Sequence, residues 1–251
     1  MFLDEVIAST RVRCASLPHA FPIDDLPPVR SLAGTIRACR GGRAIIAEIK
    51  PVSPALGRLR TVPDHTELAC ELVAGGAAAL SILTEPSYFG GAADRLARLR
   101  TAIEIPILRK EFIIDERQVP ETRALGGDAI LLMAKVLGER LAAFVDLARE
   151  TGLEPLVEVQ TEAEVELALG TDALLVGINN RDLTTLRIDL ATTSRLAPSL
   201  HDDGRTVISM SGISSPVDIR RLAHDCDAFL IGSTLMRAPS PRTALEALRA
   251  A

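Results

Sequence analysis

The sequence predicts an α/β protein, a closed (β/α)8 barrel of the TIM type with an N-terminal helical extension. Short aliphatic runs alternate with longer amphipathic ones from about residue 44 onward. Eight such runs can be counted, which is the strand number of that barrel. The length, 251 residues, is also typical of it. An open doubly wound sheet is the alternative, but nothing resembling G-x-G-x-x-G follows the first run.

Taken in order, residues 1–43 precede the first strand. Val6–Cys14 and Leu32–Cys39 read as helices, with the turn-rich stretch SLPHAFPIDDLPP between them. The segment is too short to fold alone, so residues 1–251 are expected to form one barrel domain. The extension would pack on it either as a bottom plug or as a flap over the active face. The strand candidates are Ala44–Lys50, Ala78–Leu83, Ile105–Lys110, Ala129–Met133, Pro155–Val159, Leu174–Ile178, Thr206–Met210 and Ala228–Ile231. Most are continuous apolar runs, as parallel strands covered on both faces require. Leu68–Ala74, Ala93–Ala102, Glu139–Glu150 and Glu162–Leu169 carry apolar residues at helical spacing, and helix-length segments separate the other strands.

Composition narrows the function. Apolar residues make up 47% and charged residues 24%, with a formal net charge of −5. That balance argues against nucleic acid as a partner but leaves room for a local basic pocket. Cys14, Cys39, Cys70 and Cys226 are far apart, so they read as reduced thiols and not as a disulfide framework or zinc site. The start MFLDEVIASTRVR has no secretory h-region, and no apolar run is long enough to span a bilayer. A cytoplasmic enzyme is expected, as a monomer by default, without metal or cofactor.

In this fold the chemistry lies at the C-terminal ends of the strands. The first strand, IIAEIK, puts Glu48 and Lys50 on one face, as a functional pair or as a buried structural ion pair. Lys110 ends the third strand and Glu158 lies near the end of the fifth. Asn179, Asn180 and Arg181 follow the sixth, Ser211 and Gly212 the seventh, Gly232 and Ser233 the eighth. Any one of these could be a structural cap; their convergence on one rim points to a site. Gly–Ser turns are common loop chemistry, but after the last two strands of a barrel they are where phosphate is often held by backbone N–H groups. His19, His65, His201 and His224 all fall away from strand ends, so proton transfer would rest on Lys and Glu.

The segments AEIKPVSPALG, SILTEPSYFGG, LRKEFIID, GDAILLM, LVEVQTEAE, GINNRDL, SMSGI and FLIGSTLM resemble, in order, the signatures of the indole-3-glycerol phosphate synthase family. The resemblance covers about residues 44–237, and the helical extension is also typical of that family. It implies a phosphorylated small-molecule substrate, 1-(2-carboxyphenylamino)-1-deoxyribulose 5-phosphate, closed to an indole with loss of CO2 and water and without a cofactor. It further implies Lys110 as general acid at the substrate carbonyl and Glu158 as general base in the dehydration. Lys50 would contact the anionic end of the substrate, and could donate a proton later, with Glu48 positioning it. Asn179 and Arg181 would orient substrate and neighbouring side chains, while Phe89 and Leu131 would hold the aromatic ring. Ser53 would bind substrate from the first loop, and Ser211, Gly212, Gly232 and Ser233 would hold the phosphate.

Two departures from the family pattern stand out. The usual S-E-S-G is here Ser209–Met210–Ser211–Gly212, so a carboxylate is replaced by a thioether that cannot pair with a lysine. The usual S-P-S-K-G is Ser53–Pro54–Ala55–Leu56–Gly57, which loses a hydroxyl and a cation. Beside an active synthase stand two other readings: an altered paralogue that binds a phosphorylated ligand, and a related barrel isomerase of phosphosugars. Retention of both Lys110 and Glu158 argues for the synthase, because a pure binder needs neither.

Overall fold

The computed structural model describes residues 2–24, 26–54 and 56–251; Ala55, one of the departures above, lies outside them. Eight parallel strands close a barrel: β1 Ala44–Ile49, β2 Ala79–Leu83, β3 Ile107–Lys110, β4 Ala129–Met133, β5 Glu154–Val159, β6 Leu175–Asn179, β7 Thr206–Met210 and β8 Ala228–Ile231. Closure is made by β1 against β8, paired from Ala44↔Ala228 to Ala47↔Ile231. The strand ends differ from the sequence reading by a residue or two. Lys50 falls just past β1, β3 starts after Pro106, which has no N–H to give a ladder, and β6 runs on to Asn179.

Side-chain alternation divides the apolar residues into two layers. Ile46, Leu108, Leu131, Leu156, Leu175, Ile208 and Leu230 fill the barrel interior. Ile45, Ile82, Ile107, Ile130, Val157, Val176, Val207 and Phe229 point outward and are covered by helices. Both faces are thus dry, which is why the strands read as unbroken apolar runs.

Among the surrounding helices, Ala93–Ala102 and Glu162–Leu169 stand where the periodicity puts them. The helix expected at Leu68 begins at His65, because the Asp64 carboxylate accepts from Thr66 N (2.7 Å) and Glu67 N (3.3 Å) and caps it. The one expected from Glu139 begins at Leu141, after a 3-10 turn over Gly138–Arg140. No helix among the described residues is long and apolar enough to cross a membrane.

The extension takes both of the positions open to it. Helix α1, Phe2–Cys14, lies across the C-terminal mouth, where Arg117 donates to Cys14 O (3.0 Å) and Leu17 O (3.1 Å). Helix α2, Leu32–Ala38, closes the opposite end. There Glu154 accepts from Ser31 Oγ (2.6 Å) and Ala33 N (2.9 Å), and Asp128 accepts from Arg30 N (2.8 Å). Ala44, Ala79, Ala129 and Ala228 open four of the strands and share one cluster with Leu32 and Ile36. Their small side chains leave the depression that α2 fills.

Candidate active site

The strand ends present two lysine–carboxylate couples. Lys110 Nζ, at the end of β3, lies 2.9 Å from Glu158 Oε2 on β5. Lys50 Nζ lies 2.8 Å from Glu48 Oε1 on β1. The carboxylate side chains are only 4% exposed, while the lysines keep 18–19% and so can meet a ligand. A carboxylate this buried needs a cation or donors, so removing either lysine leaves an uncompensated charge. Asn179 Nδ2 donates to Glu158 Oε1 (2.9 Å), so both oxygens of that carboxylate are engaged. Asn179 Oδ1 in turn accepts from Arg181 N (3.0 Å).

Around these couples lies a cavity of about 280 Å³ at the barrel mouth. Glu48, Lys50, Ser53, Phe89, Lys110, Leu131, Glu158, Asn179, Arg181, Ser211, Gly212, Gly232 and Ser233 all line it, and so does Met210. The barrel brings together the residues singled out from the sequence except Asn180, whose side chain turns to Ser209 and Thr193 instead, and among the described residues no histidine joins them. Ser53 sits in a two-stranded hairpin, Val52–Ser53 against Gly57–Arg58, that forms the first loop. Phe89 packs in an aromatic group with Phe112 at 6.0 Å and Phe2 at 6.3 Å between ring centroids.

Ser211 and Gly212 are both left-handed, at φ 67° and 85°. Together with Gly232 and Ser233 they line the cavity. Gly232 has a steric reason to be glycine: a Cβ there would lie 2.4 Å from Glu48 Oε1. Met210 is buried at 1% exposure and covers Gly177, whose absent Cβ would meet its Sδ at 2.3 Å. The thioether therefore fills interior space, and each lysine keeps a carboxylate of its own.

Arg181 is half-buried, which pushes its guanidinium pKa down. Its Nη1 donates to Leu186 O (3.0 Å), and an isolated bridge joins Arg181 to Ile188. The side chain thus shapes its own loop as well as lining the cavity.

Several lining residues escape the sequence reading. Phe112 is recoverable in principle, being two positions after Lys110 and hence on its side of the chain. Phe2, Leu183, Ile188 and Arg237 arrive from α1 and from loop or helix segments whose tertiary placement no local pattern encodes. Glu111 also reaches the cavity, though it is 1% exposed. Burial pushes its carboxyl pKa up, against the opposing pull of Arg109 and Arg13. It accepts from Thr84 Oγ1 (2.8 Å) and Phe112 N (2.9 Å), and Arg13 of α1 stands 3.2 Å away.

Fold and rim together define a (β/α)8-barrel enzyme whose available acids and bases are lysines and carboxylates. A family model described as indole-3-glycerol phosphate synthase matches residues 4–248, and the chain belongs to that family. It is thus a carboxy-lyase of tryptophan biosynthesis. It is 43% identical over 210 residues to the indole-3-glycerol phosphate synthase of Methanopyrus kandleri, covering 82% of this chain and 83% of that one. With the enzyme of the same name from Laribacter hongkongensis it shares 42% over 259 residues, 98% of each chain. With indole-3-glycerol phosphate synthase 2 of Streptomyces coelicolor it shares 44% over 224 residues, 88% and 86% of the two chains. Among solved structures it resembles thiamine phosphate pyrophosphorylase from Pyrococcus furiosus, with a TM-score of 0.60 and 18% identity. That match covers 82% of this chain and 93% of the other and bears on the fold alone.

Proposed function

We propose that this chain closes 1-(2-carboxyphenylamino)-1-deoxyribulose 5-phosphate to indole-3-glycerol phosphate with Lys110 as acid and Glu158 as base. The ring carbon bearing the carboxylate attacks the ketone carbon, and the ketone oxygen takes a proton from Lys110. The cation also stabilises the negative charge that develops on that oxygen. The ring has then lost aromaticity and its nitrogen is an iminium. Breaking the bond to the carboxylate returns an electron pair to the ring and releases CO2. The new hydroxyl leaves as water with a proton from Lys50, while Glu158 removes a proton from the carbon beside nitrogen. Glu158 hands that proton back to Lys110 along their 2.9 Å contact. Lys50 is partly exposed and recovers its own from solvent, so the reaction takes up one proton overall.

The observation that carries this assignment is the chain Lys110–Glu158–Asn179, an acid joined to a base whose second oxygen is held by an amide. Ser211, Gly212, Gly232 and Ser233 are assigned to the phosphate, Phe89 and Leu131 to the aromatic ring, and Ser53 and Arg181 to the lip of the cavity. We place the enzyme in the cytoplasm, acting as a monomer. The test is a fluorescence assay of indole formation. Lys110→Met is expected to lower turnover at least about 10²-fold, the lower range of general-acid effects, with phosphate affinity little changed. Near-normal turnover would remove Lys110 from the mechanism.

A further inference from the structure

Asn180 has no part in the chemistry above, yet it is 2% exposed and uses every polar group it has. Its Nδ2 donates to Ser209 Oγ (3.1 Å) and to Ser211 O (3.0 Å). Its Oδ1 accepts from Thr193 Oγ1 (2.8 Å) and Thr193 N (3.2 Å). The Thr193 and Ser209 hydroxyls lie 2.8 Å apart, which closes a buried polar triangle. The Asn180 backbone adds an N–H to Met210 O and a carbonyl to Asp189 N, both 2.9 Å. One side chain thereby ties together the end of β6, the helix Ala191–Asp202, and the turn after β7.

In that turn the backbone takes a conformation that residues with side chains rarely adopt. Ser211 has φ 67°, and among the described residues only Leu186 is also left-handed without being glycine. A side-chain-bearing residue pays sterically for this conformation, so something must hold it. The bond from Asn180 falls on the Ser211 carbonyl. Because the peptide is trans, fixing that carbonyl toward Asn180 directs the following N–H, that of Gly212, the opposite way. Asn180 and Thr193 lie between the barrel wall and a helix, whereas Ser211 and Gly212 line the cavity.

We propose that Asn180, locked by Thr193 and Ser209, is a positioning residue that holds Ser211 left-handed and so aims the Gly212 N–H at the substrate phosphate. This rests on the phosphate assignment above. A fully satisfied buried network suits the task, since its geometry is specified at every bond. The residue acts through the turn and touches neither substrate nor the reacting atoms.

Inorganic phosphate as a competitive inhibitor is the probe, alongside steady-state kinetics with the substrate. Asn180→Ala is expected to weaken phosphate about tenfold, the effect of losing one well-made hydrogen bond, and to raise KM similarly while kcat stays within about threefold. Asn180→Asp keeps the acceptor for Thr193 but sets an oxygen against the Ser211 carbonyl, so it should be at least as harmful. The deciding readout is a cycle with Ser211→Gly. Glycine reaches the left-handed region without steric cost, so in that background Asn180→Ala should cost less than about twofold. A general loss of stability would give the same cost in both backgrounds, and that result overturns the proposal. If Asn180→Ala does not fold, Thr193→Val loosens the same lock and should weaken phosphate about threefold. Unchanged affinity in these variants while Gly232→Asp abolishes binding sinks the positioning role alone. If Gly232→Asp is also without effect, the phosphate lies elsewhere and both ideas fall.

Discussion

At Gly232 the rim leaves no room for a methyl group. A Cβ would press on Glu48, the partner of Lys50, at 2.4 Å from Oε1 and 3.1 Å from its Cβ. Gly232→Ala is therefore expected to displace Glu48 and lower kcat about tenfold with the fold intact, checked by kinetics and circular dichroism. Gly232→Asp would add a negative charge beside the phosphate and raise KM far more. Met210 gives the opposite expectation. Both lysines already have carboxylates, and a glutamate at 210 would enter a site that is 1% exposed. Met210→Glu should leave kcat within about threefold of wild type and cost about 1–3 kcal/mol of stability, read from denaturant midpoints. A tenfold rise in kcat would mean that the thioether has been limiting the chemistry. At this scale the candidate site was largely legible in the sequence, because the inward-pointing residues at the C-terminal ends of barrel strands face the mouth.

Helices were less legible than strands, and Gln118–Ala124 shows why. It buries Gln118, Glu121, Thr122 and Arg123, so no apolar stripe marks it. Two of those groups serve Arg109, which points outward from β3 with no exposure and meets Glu121 at 2.8 Å and Thr122 Oγ1 at 3.0 Å, while Arg123 donates to the Leu26 and Pro27 carbonyls of the extension. Arg109 Nε also donates to Thr84 Oγ1 (3.2 Å), and Thr84 donates to Glu111, so the network runs on to Arg13 of α1. Pro86–Phe89 and Ser233–Arg237 are too short for periodicity to register. Glu111 supplies a prediction about pH. Its carboxyl pKa is raised on folding, so its contribution to stability is greatest in acid and is lost as pH rises past the ordinary carboxylate value. The stability of wild type relative to Glu111→Gln should therefore fall as pH rises above about 4, the ordinary carboxylate range. A difference that grows with pH would show that Arg13 outweighs the burial.

For the whole molecule, the sequence could offer plug or flap for the extension but not both, since neither helix states which end of a barrel it meets. What decides the lower contact is the ring of alanines at the strand starts, matched by Leu32 and Ile36. Leu32 has no exposed surface, and Leu32→Ala should cost about 2–5 kcal/mol in a urea titration while KM hardly moves, the site being at the far end. A large change in KM with little loss of stability would mean that the two ends communicate.

The closure of β1 on β8 also sets an order of events in time. As the chain is synthesised, α1 and α2 emerge before the strands, but the surfaces they cover are assembled from strands spread along the sequence that follows. Leu32 and Ile36 have no complete seat until Ala228 has been made. Helices that leave the ribosome before any strand of the barrel are thus among the last to find their place, and the apolar face of α2 must wait uncovered or in other company until β8 arrives.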